Sequence, residues 1–219
     1  MPNLASGCFI TFEGGEGAGK STQLARLHQW LEAEGRQVLI TRQPGGTGYG
    51  QRIRQLILSP NPEETLSARA ELFLYLADRA QHVDTVIRPA LAAGQVVLCD
   101  RYTDSTLAYQ GYGRQLDLVE LKTLNQLATN GLQPDLTIWL DLDPDAGRAR
   151  ILRREALDRL EAESLAFHER VRTGYASLAA AEPERWLRLD ASQPEAALFD
   201  QIQQIVGKHL NSEQFYSEQ

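Results

Sequence analysis

The chain has 219 residues, 42% of them hydrophobic and 23% charged, with a formal net charge of −7. That length suits one α/β domain with a substantial core, and the negative charge argues against nucleic-acid partners, which need a basic footprint, while leaving room for small anionic ligands in a local basic pocket. No apolar run approaches a membrane span, and residues 1–7 lack the basic start and apolar stretch of a secretion signal, so a cytoplasmic protein with no membrane partner is expected.

The first predicted strand covers 8–13, where Cys8-Phe9-Ile10-Thr11-Phe12 is short, apolar and β-prone. It runs into Gly14-Gly15-Glu16-Gly17-Ala18-Gly19-Lys20-Ser21-Thr22, which contains G-x-x-x-x-G-K-[ST] with no position out of place. A helix over 20–34 follows, with apolar residues at helical spacing. Strand, glycine loop and helix together surround an anion with backbone N–H groups and a helix N-terminus. Glycine supplies the φ values the turn needs and lets the backbone approach phosphate closely. Lys20 then reaches the β- and γ-phosphates of a nucleoside triphosphate, and Ser21 holds Mg2+.

A second strand is predicted at 37–41, ending at Arg42-Gln43-Pro44-Gly45-Gly46-Thr47, a tight irregular loop. Helices are predicted at about 49–58 and 66–92, then a third strand at 95–100 that closes on Asp100 and Arg101. Asp100 is placed to support the Mg2+ shell. Arg42 and Arg101 both follow strand ends. A guanidinium fork suits phosphate, so the pair predicts a second anion site beside the triphosphate. A helix at 117–129, a strand at 136–140, helices at 144–154 and 160–181, a strand at 186–189 and a helix at 195–210 complete the chain. Gly35, Gly94 and Gly131 fall where helices stop. The polar segment 211–219 reads as a frayed tail.

Alternating strands and helices predict an α/β fold: a phosphate-loop NTPase-type parallel sheet of five strands, flanked by helices, in one domain over 1–210. Ligands bind beyond the carboxyl ends of such strands, which puts the glycine loop, Arg42 and Asp100 on one edge. Residues 147–159 carry Arg148, Arg150, Arg153, Arg154 and Arg159 with acidic partners only at the end, which predicts an arginine-bearing lid that closes over phosphates and excludes water. Lys20, Arg42, Arg101 and a lid arginine, Arg153 or Arg154, then supply the positive charge that phosphoryl transfer needs. No general base is evident; an anionic phosphate acceptor needs none. Cys8 and Cys99 read as buried thiols in a reducing compartment, and the four histidines form no ligand cluster.

The chain resembles the bacterial thymidylate kinases from about residue 8 to residue 207. The resemblance lies in Phe12–Thr22, Thr41–Thr47, Asp100-Arg101-Tyr102 with Ser105 and Ala108-Tyr109-Gln110-Gly111, Leu157–Glu161, and Leu76-Ala77-Asp78-Arg79. It implies ATP + dTMP giving ADP + dTDP with Mg2+, in a homodimer of the nucleoside monophosphate kinase fold. It implies that Glu16 meets the sugar 3′-hydroxyl, that Arg42 and Arg101 hold the dTMP phosphate, and that Phe73 stacks on thymine. Arg79 would donate to a thymine carbonyl, Ser105 and Gln110 would line the base and sugar pocket, and Tyr109 would crowd the 2′ position. Some members carry a catalytic arginine inside the loop; Gly17 and Ala18 stand there in this chain, so the charge must come from the lid. Gln43 stands where bacterial members often have Glu, at the cost of a negative charge. The alternatives are a kinase for another nucleoside monophosphate or a deoxynucleoside, and a switch NTPase. No Asn-Lys-x-Asp tetrapeptide for guanine recognition occurs.

Overall fold

The computed structural model describes residues 7–61, 63–152 and 157–217. All five predicted strands form: β1 (Cys8–Glu13), β2 (Val38–Arg42), β3 (Val96–Asp100), β4 (Leu136–Asp141) and β5 (Trp186–Asp190). They make one parallel sheet in the order β2-β3-β1-β4-β5. From β3 the chain crosses to the far side of β1, so the order reverses at the β1–β3 seam. That seam is where a crevice opens beyond the strand ends. The register sets Phe12 beside Asp100 and Arg42 beside Asp100, so the glycine loop, the 42–47 loop and Arg101 leave the sheet at one level.

Period-two alternation divides the strands between two buried faces. Ile10, Phe12, Leu98, Ile138 and Leu140 pack on one face against Leu24, Leu27 and Leu31 of α1 (Lys20–Ala33) and Ile202 and Val206 of α9 (Glu195–Ser217). On the other face Trp139 packs with Leu72 and Leu76 of α3 (Ala68–His82), Leu121 of α6 (Leu118–Thr129), and Phe167, Val171 and Tyr175 of α8 (Leu165–Ala181). Gly35, Gly94 and Gly131 all take positive φ, at 78°, 76° and 76°, where the preceding helices stop.

Five helical expectations change. The segment 66–92 is not one regular helix: α3 passes through a wide turn at Val83–Ile87 into α4 (Arg88–Ala92), and the Arg88 N–H bonds Val83 O five residues back. Pro89 has no N–H to continue the four-residue ladder, which accounts for the shift. Thr103–Gly113, assigned no element from sequence, is helical: α5 (Thr103–Thr106) runs into a second wide-turn stretch at Leu107–Gly113. Its Thr, Ser and Gly residues have weak helix propensity; side-chain bonds to the rest of the molecule hold it instead. α7 (Pro144–Ile151) ends before 154, and α8 starts at Leu165 rather than 160 because Ser164 caps it, accepting from Phe167 N. α9 continues to Ser217, beyond the predicted end at 210.

The loop after β2 is clamped by α3. Asp78 Oδ1 accepts Gly45 N at 3.0 Å, and the His82 ring lies where a Cβ on Gly46 would come within 2.3 Å of its Nε2. Gln43 Nε2 donates to His82 Nδ1 at 3.0 Å, which leaves the proton on Nε2, 2.6 Å from Thr41 Oγ1. Burial, with the nearby charge of Arg79, pushes His82 down to about 4. Between about pH 6.5 and 4 the unfolded chain therefore binds a proton that the folded chain refuses, and stability falls as pH falls through that window. Urea unfolding of wild type and His82→Gln from pH 7 to pH 4.5 should show a shallower loss of stability in the variant.

Candidate active site

Gly14 opens the glycine loop at φ 137°, and a Cβ there would lie 2.4 Å from Leu140 O. Gly19, at φ 88°, caps α1. Gly17, at φ 72°, packs backbone to backbone on Gly147 of α7: a Cβ at 17 would meet Gly147 O at 2.6 Å, and one at 147 would meet Glu16 O at 2.4 Å. Position 17 thus has no room for a side chain, consistent with the loop having no arginine. Lys20 folds back over the loop and donates to Gly14 O at 3.1 Å and Gly15 O at 2.9 Å. An ammonium has three protons, so one remains for a ligand. Burial, then the Arg101 charge, lowers the Lys20 pKa.

A cavity of about 470 Å3 spreads from this loop across the β1–β3 seam. Its wall includes the predicted Lys20, Ser21, Thr22, Arg42, Arg79, Asp100, Arg101, Ser105, Tyr109 and Gln110. Arg42 is exposed at the rim. Arg101 takes φ 70°, a left-handed conformation unusual for a side chain this large. Its N–H bonds Phe12 O at 3.0 Å, its Nη2 donates to Glu16 Oε1 at 2.5 Å, and its guanidinium lies 4.8 Å from the Tyr109 ring centre. Tyr109 OH also donates to Glu16 Oε1, at 3.3 Å. Burial pushes Glu16 up, but Arg101, then Lys20, outweigh it and hold the carboxyl at about 2. Glu16 is therefore ionised at any working pH.

Arg79 is buried with neutral partners only: Gln43 Oε1 at 2.9 Å, Thr106 Oγ1 at 2.8 Å, Asn125 Oδ1 at 2.6 Å and Tyr102 O at 3.0 Å. Five N–H donors against four acceptors leave one for the cavity. Gln43 thus bridges two side chains of α3, its amide oxygen orienting Arg79 while its nitrogen engages His82.

Phe73 does not reach the cavity. It is 55% exposed on the outside of α3, and Tyr75 lines the cavity instead. Helix geometry explains the correction. Tyr75 precedes Arg79 by one helical turn and shares its face, whereas Phe73 lies about 120° away. Arg153 and Arg154 lie outside the described residues. Among the described arginines of 147–159, Arg150 of α7 reaches the glycine loop, donating to Gly17 O at 3.0 Å, and lines the cavity.

Sequence reasoning also missed Glu71. This fully buried carboxylate accepts from Gln110 Nε2 at 2.7 Å, from Arg114 Nη2 at 3.2 Å and from Arg159 Nη2. Arg159 Nε also donates to Ile57 O at 2.7 Å, at the end of α2 (Gly48–Leu58). The Asp158–Glu161 turn, capped by Asp158 Oδ1 on Leu160 N and Glu161 N, is thereby fastened against α2 and α3 where Asp158, Leu160 and Glu161 wall the cavity. Only its period on α3, four residues before Tyr75, placed Glu71 on the working face.

With this geometry in view, the relatives are informative. A sequence model of the thymidylate kinase family matches residues 12–202. The chain belongs to the thymidylate kinase family. It is 58% identical to a thymidylate kinase from Solidesulfovibrio magneticus over 92% of this chain and 100% of that one. It is 56% identical to one from a Synechococcus species, over 92% and 95% of the two chains, and 50% identical to one from a Cyanothece species, over 93% and 95%.

Removing the Glu71 carboxylate takes from Arg159 and Arg114 the buried charge they share and leaves Arg114 with Glu163, 2.6 Å away; losing one partner of a buried pair costs about 3–5 kcal/mol. Glu71→Ala should lose stability of that order in urea unfolding at pH 7. Loss of less than about 1 kcal/mol would show that the network is not a structural anchor.

Proposed function

We propose that this protein transfers the γ-phosphoryl group of ATP to dTMP, giving ADP and dTDP. The observation that carries this reading is a cavity whose wall joins the glycine loop to a second cationic centre, Arg42 and Arg101, and to Tyr75, Arg79 and Gln110. ATP lies with its phosphates on Gly14–Thr22, where loop N–H groups, the α1 N-terminus and the free Lys20 proton meet the charge. The dTMP phosphate lies between Arg42 and Arg101. Tyr75 stacks on thymine, Arg79 gives its spare proton to a base carbonyl, and Glu16 takes the sugar 3′-hydroxyl. Ser105 and Gln110 line the base and sugar pocket. Tyr109, held by Glu16 and Arg101, leaves no room for a 2′-hydroxyl.

The reaction needs one bond formed, from an acceptor phosphate oxygen to the γ-phosphorus, and one broken, to the β–γ bridging oxygen. The acceptor is already anionic, so the protein aligns and neutralises rather than removing a proton. Arg150, beside Gly17, is the described lid arginine placed to meet the transferring group; Arg153 and Arg154 remain candidates on sequence grounds. Asp100 Oδ1 is buried with no hydrogen-bond partner and Ser21 is exposed, both at the cavity wall, a donor set that fits Mg2+. When bound, the ion neutralises charge on the phosphates.

The same reading takes the chain as one kinase domain over residues 1–210 with a lid at about 147–159, working as a homodimer. Exposed apolar side chains on α2 (Tyr49, Leu56), α3 (Phe73) and α6 (Val119, Leu127) support a self-association face. Two buried cysteine thiols, Cys8 and Cys99, fit a reducing, cytoplasmic setting.

ADP formation from ATP and Mg2+ against dTMP, dUMP, UMP, dCMP, AMP and GMP tests the activity; dTMP should be strongly preferred, and another preferred acceptor would overturn the base pocket. Tyr75→Ala should raise the dTMP KM at least about fivefold, the lower end of the ~1–3 kcal/mol that a stacked aromatic contributes per base. Phe73→Ala should leave it within twofold.

A further inference from the structure

Tyr175 lies in α8, outside every motif quoted above. Its ring is fully buried, stacked at 6.0 Å on Trp139 and edge-on at 6.4 Å to Tyr109. Its hydroxyl lies 2.8 Å from Glu13 Oε2, 3.0 Å from Ser105 Oγ and 3.2 Å from Arg101 Nη1. Glu13, the last residue of β1, is wholly buried and also accepts Tyr102 N at 2.8 Å and the Ser105 hydroxyl at 2.5 Å.

Burial, then Asp104, raises the Glu13 pKa, while Arg101 and the Ser105 and Tyr175 hydroxyls favour its charged form; with Glu13 ionised, the hydrogen count closes in one way. Each hydroxyl has a single proton, and both protons go to Glu13. Each hydroxyl oxygen then accepts one Nη1 proton of Arg101, Ser105 at 3.3 Å and Tyr175 at 3.2 Å, while Nη2 is engaged by Glu16. Burial keeps the Tyr175 hydroxyl protonated by raising its pKa well above the usual phenol range. Two hydroxyls thus relay the Glu13 charge to the guanidinium. The Tyr175 oxygen is the stiffer of the two, because its ring is wedged between aromatic neighbours.

We propose that Tyr175 is a positioning residue for phosphoryl transfer: its hydroxyl, polarised by Glu13, fixes the angle at which the Arg101 guanidinium meets the acceptor phosphate. This rests on the assignment of Arg101 to the acceptor phosphate made above. The Tyr175 hydroxyl bonds nothing in the donor stretch 17–22, so its removal acts on the acceptor side.

Tyr175→Phe deletes the hydroxyl and keeps the ring. In steady-state assays the acceptor KM should rise about tenfold, with the ATP KM within twofold of wild type. A purely structural role moves neither selectively. An acceptor KM within twofold of wild type, or an ATP KM that rises in step, would overturn the proposal. The same deletion in an Arg101→Lys background, where the guanidinium fork is gone, should add less than twofold to the acceptor KM; a further tenfold rise there would show that Tyr175 does not act through Arg101. The wild-type panel of monophosphates reports separately on the activity. If wild type prefers a different acceptor, the dTMP reading fails and the Tyr175 comparison is made on that acceptor.

Discussion

Arg101 holds a permanent charge in a nearly closed site, on a residue of left-handed backbone, and most of the active region is arranged around keeping it there. Taking an ion out of water costs several kcal/mol even after relaxation, and the left-handed conformation adds about 1–3 kcal/mol. Against this stand Glu16 on one nitrogen, the Ser105 and Tyr175 hydroxyls on the other, and the Tyr109 ring face. Charge-assisted hydrogen bonds contribute about 1.5–3 kcal/mol each, so three offset the cost. The strands contribute directly: Phe12 O and the Glu13 carboxylate, consecutive on β1, hold the N–H groups of Arg101 and Tyr102. The sheet therefore fixes the backbone of Arg101, and α8 fixes its side chain.

The acidic balance of the whole chain does not set the field at this centre. What a phosphate meets is the local field at the mouth of a low-dielectric crevice, where Lys20, Arg42, Arg79 and Arg101 converge. Arg79 is buried without a carboxylate in its hydrogen-bond shell, which leaves its charge available to a ligand. Gln43 is part of that arrangement. A carboxylate there would pair with Arg79, whereas the amide orients it and leaves its charge uncancelled.

The five strands were legible because parallel strands buried on both faces are written as apolar runs, such as Val96–Cys99, whatever surrounds them. The phosphate loop was legible because its backbone needs glycine at fixed positions. The Thr103–Gly113 helix was not, because its stability comes from Glu13, Glu71, Arg79 and Arg185, all distant in sequence. Phe73 is exposed and Tyr75, two residues on, lines the cavity, as the helical period from Arg79 indicates. Arg101, Arg42 and Asp100 were found as strand-end residues; Tyr175 and Glu71 were not, since nothing in a helical sequence distinguishes a side chain facing core from one facing a guanidinium.

The contact between Gly17 and Gly147 bears on how such a site can change over generations. A first substitution at either position meets backbone 2.6 Å or 2.4 Å away, and backbone does not yield as a side-chain tip does. Placing a positive charge in the loop at 17, rather than on Arg150 of α7, would therefore require α7 to retreat before a side chain could enter, and the retreat alone would pull Arg150 off Gly17 O with nothing in its place. The two arrangements are separated by a valley rather than a slope. A lineage holding one of them is committed to it, and the pair of glycines is the ratchet.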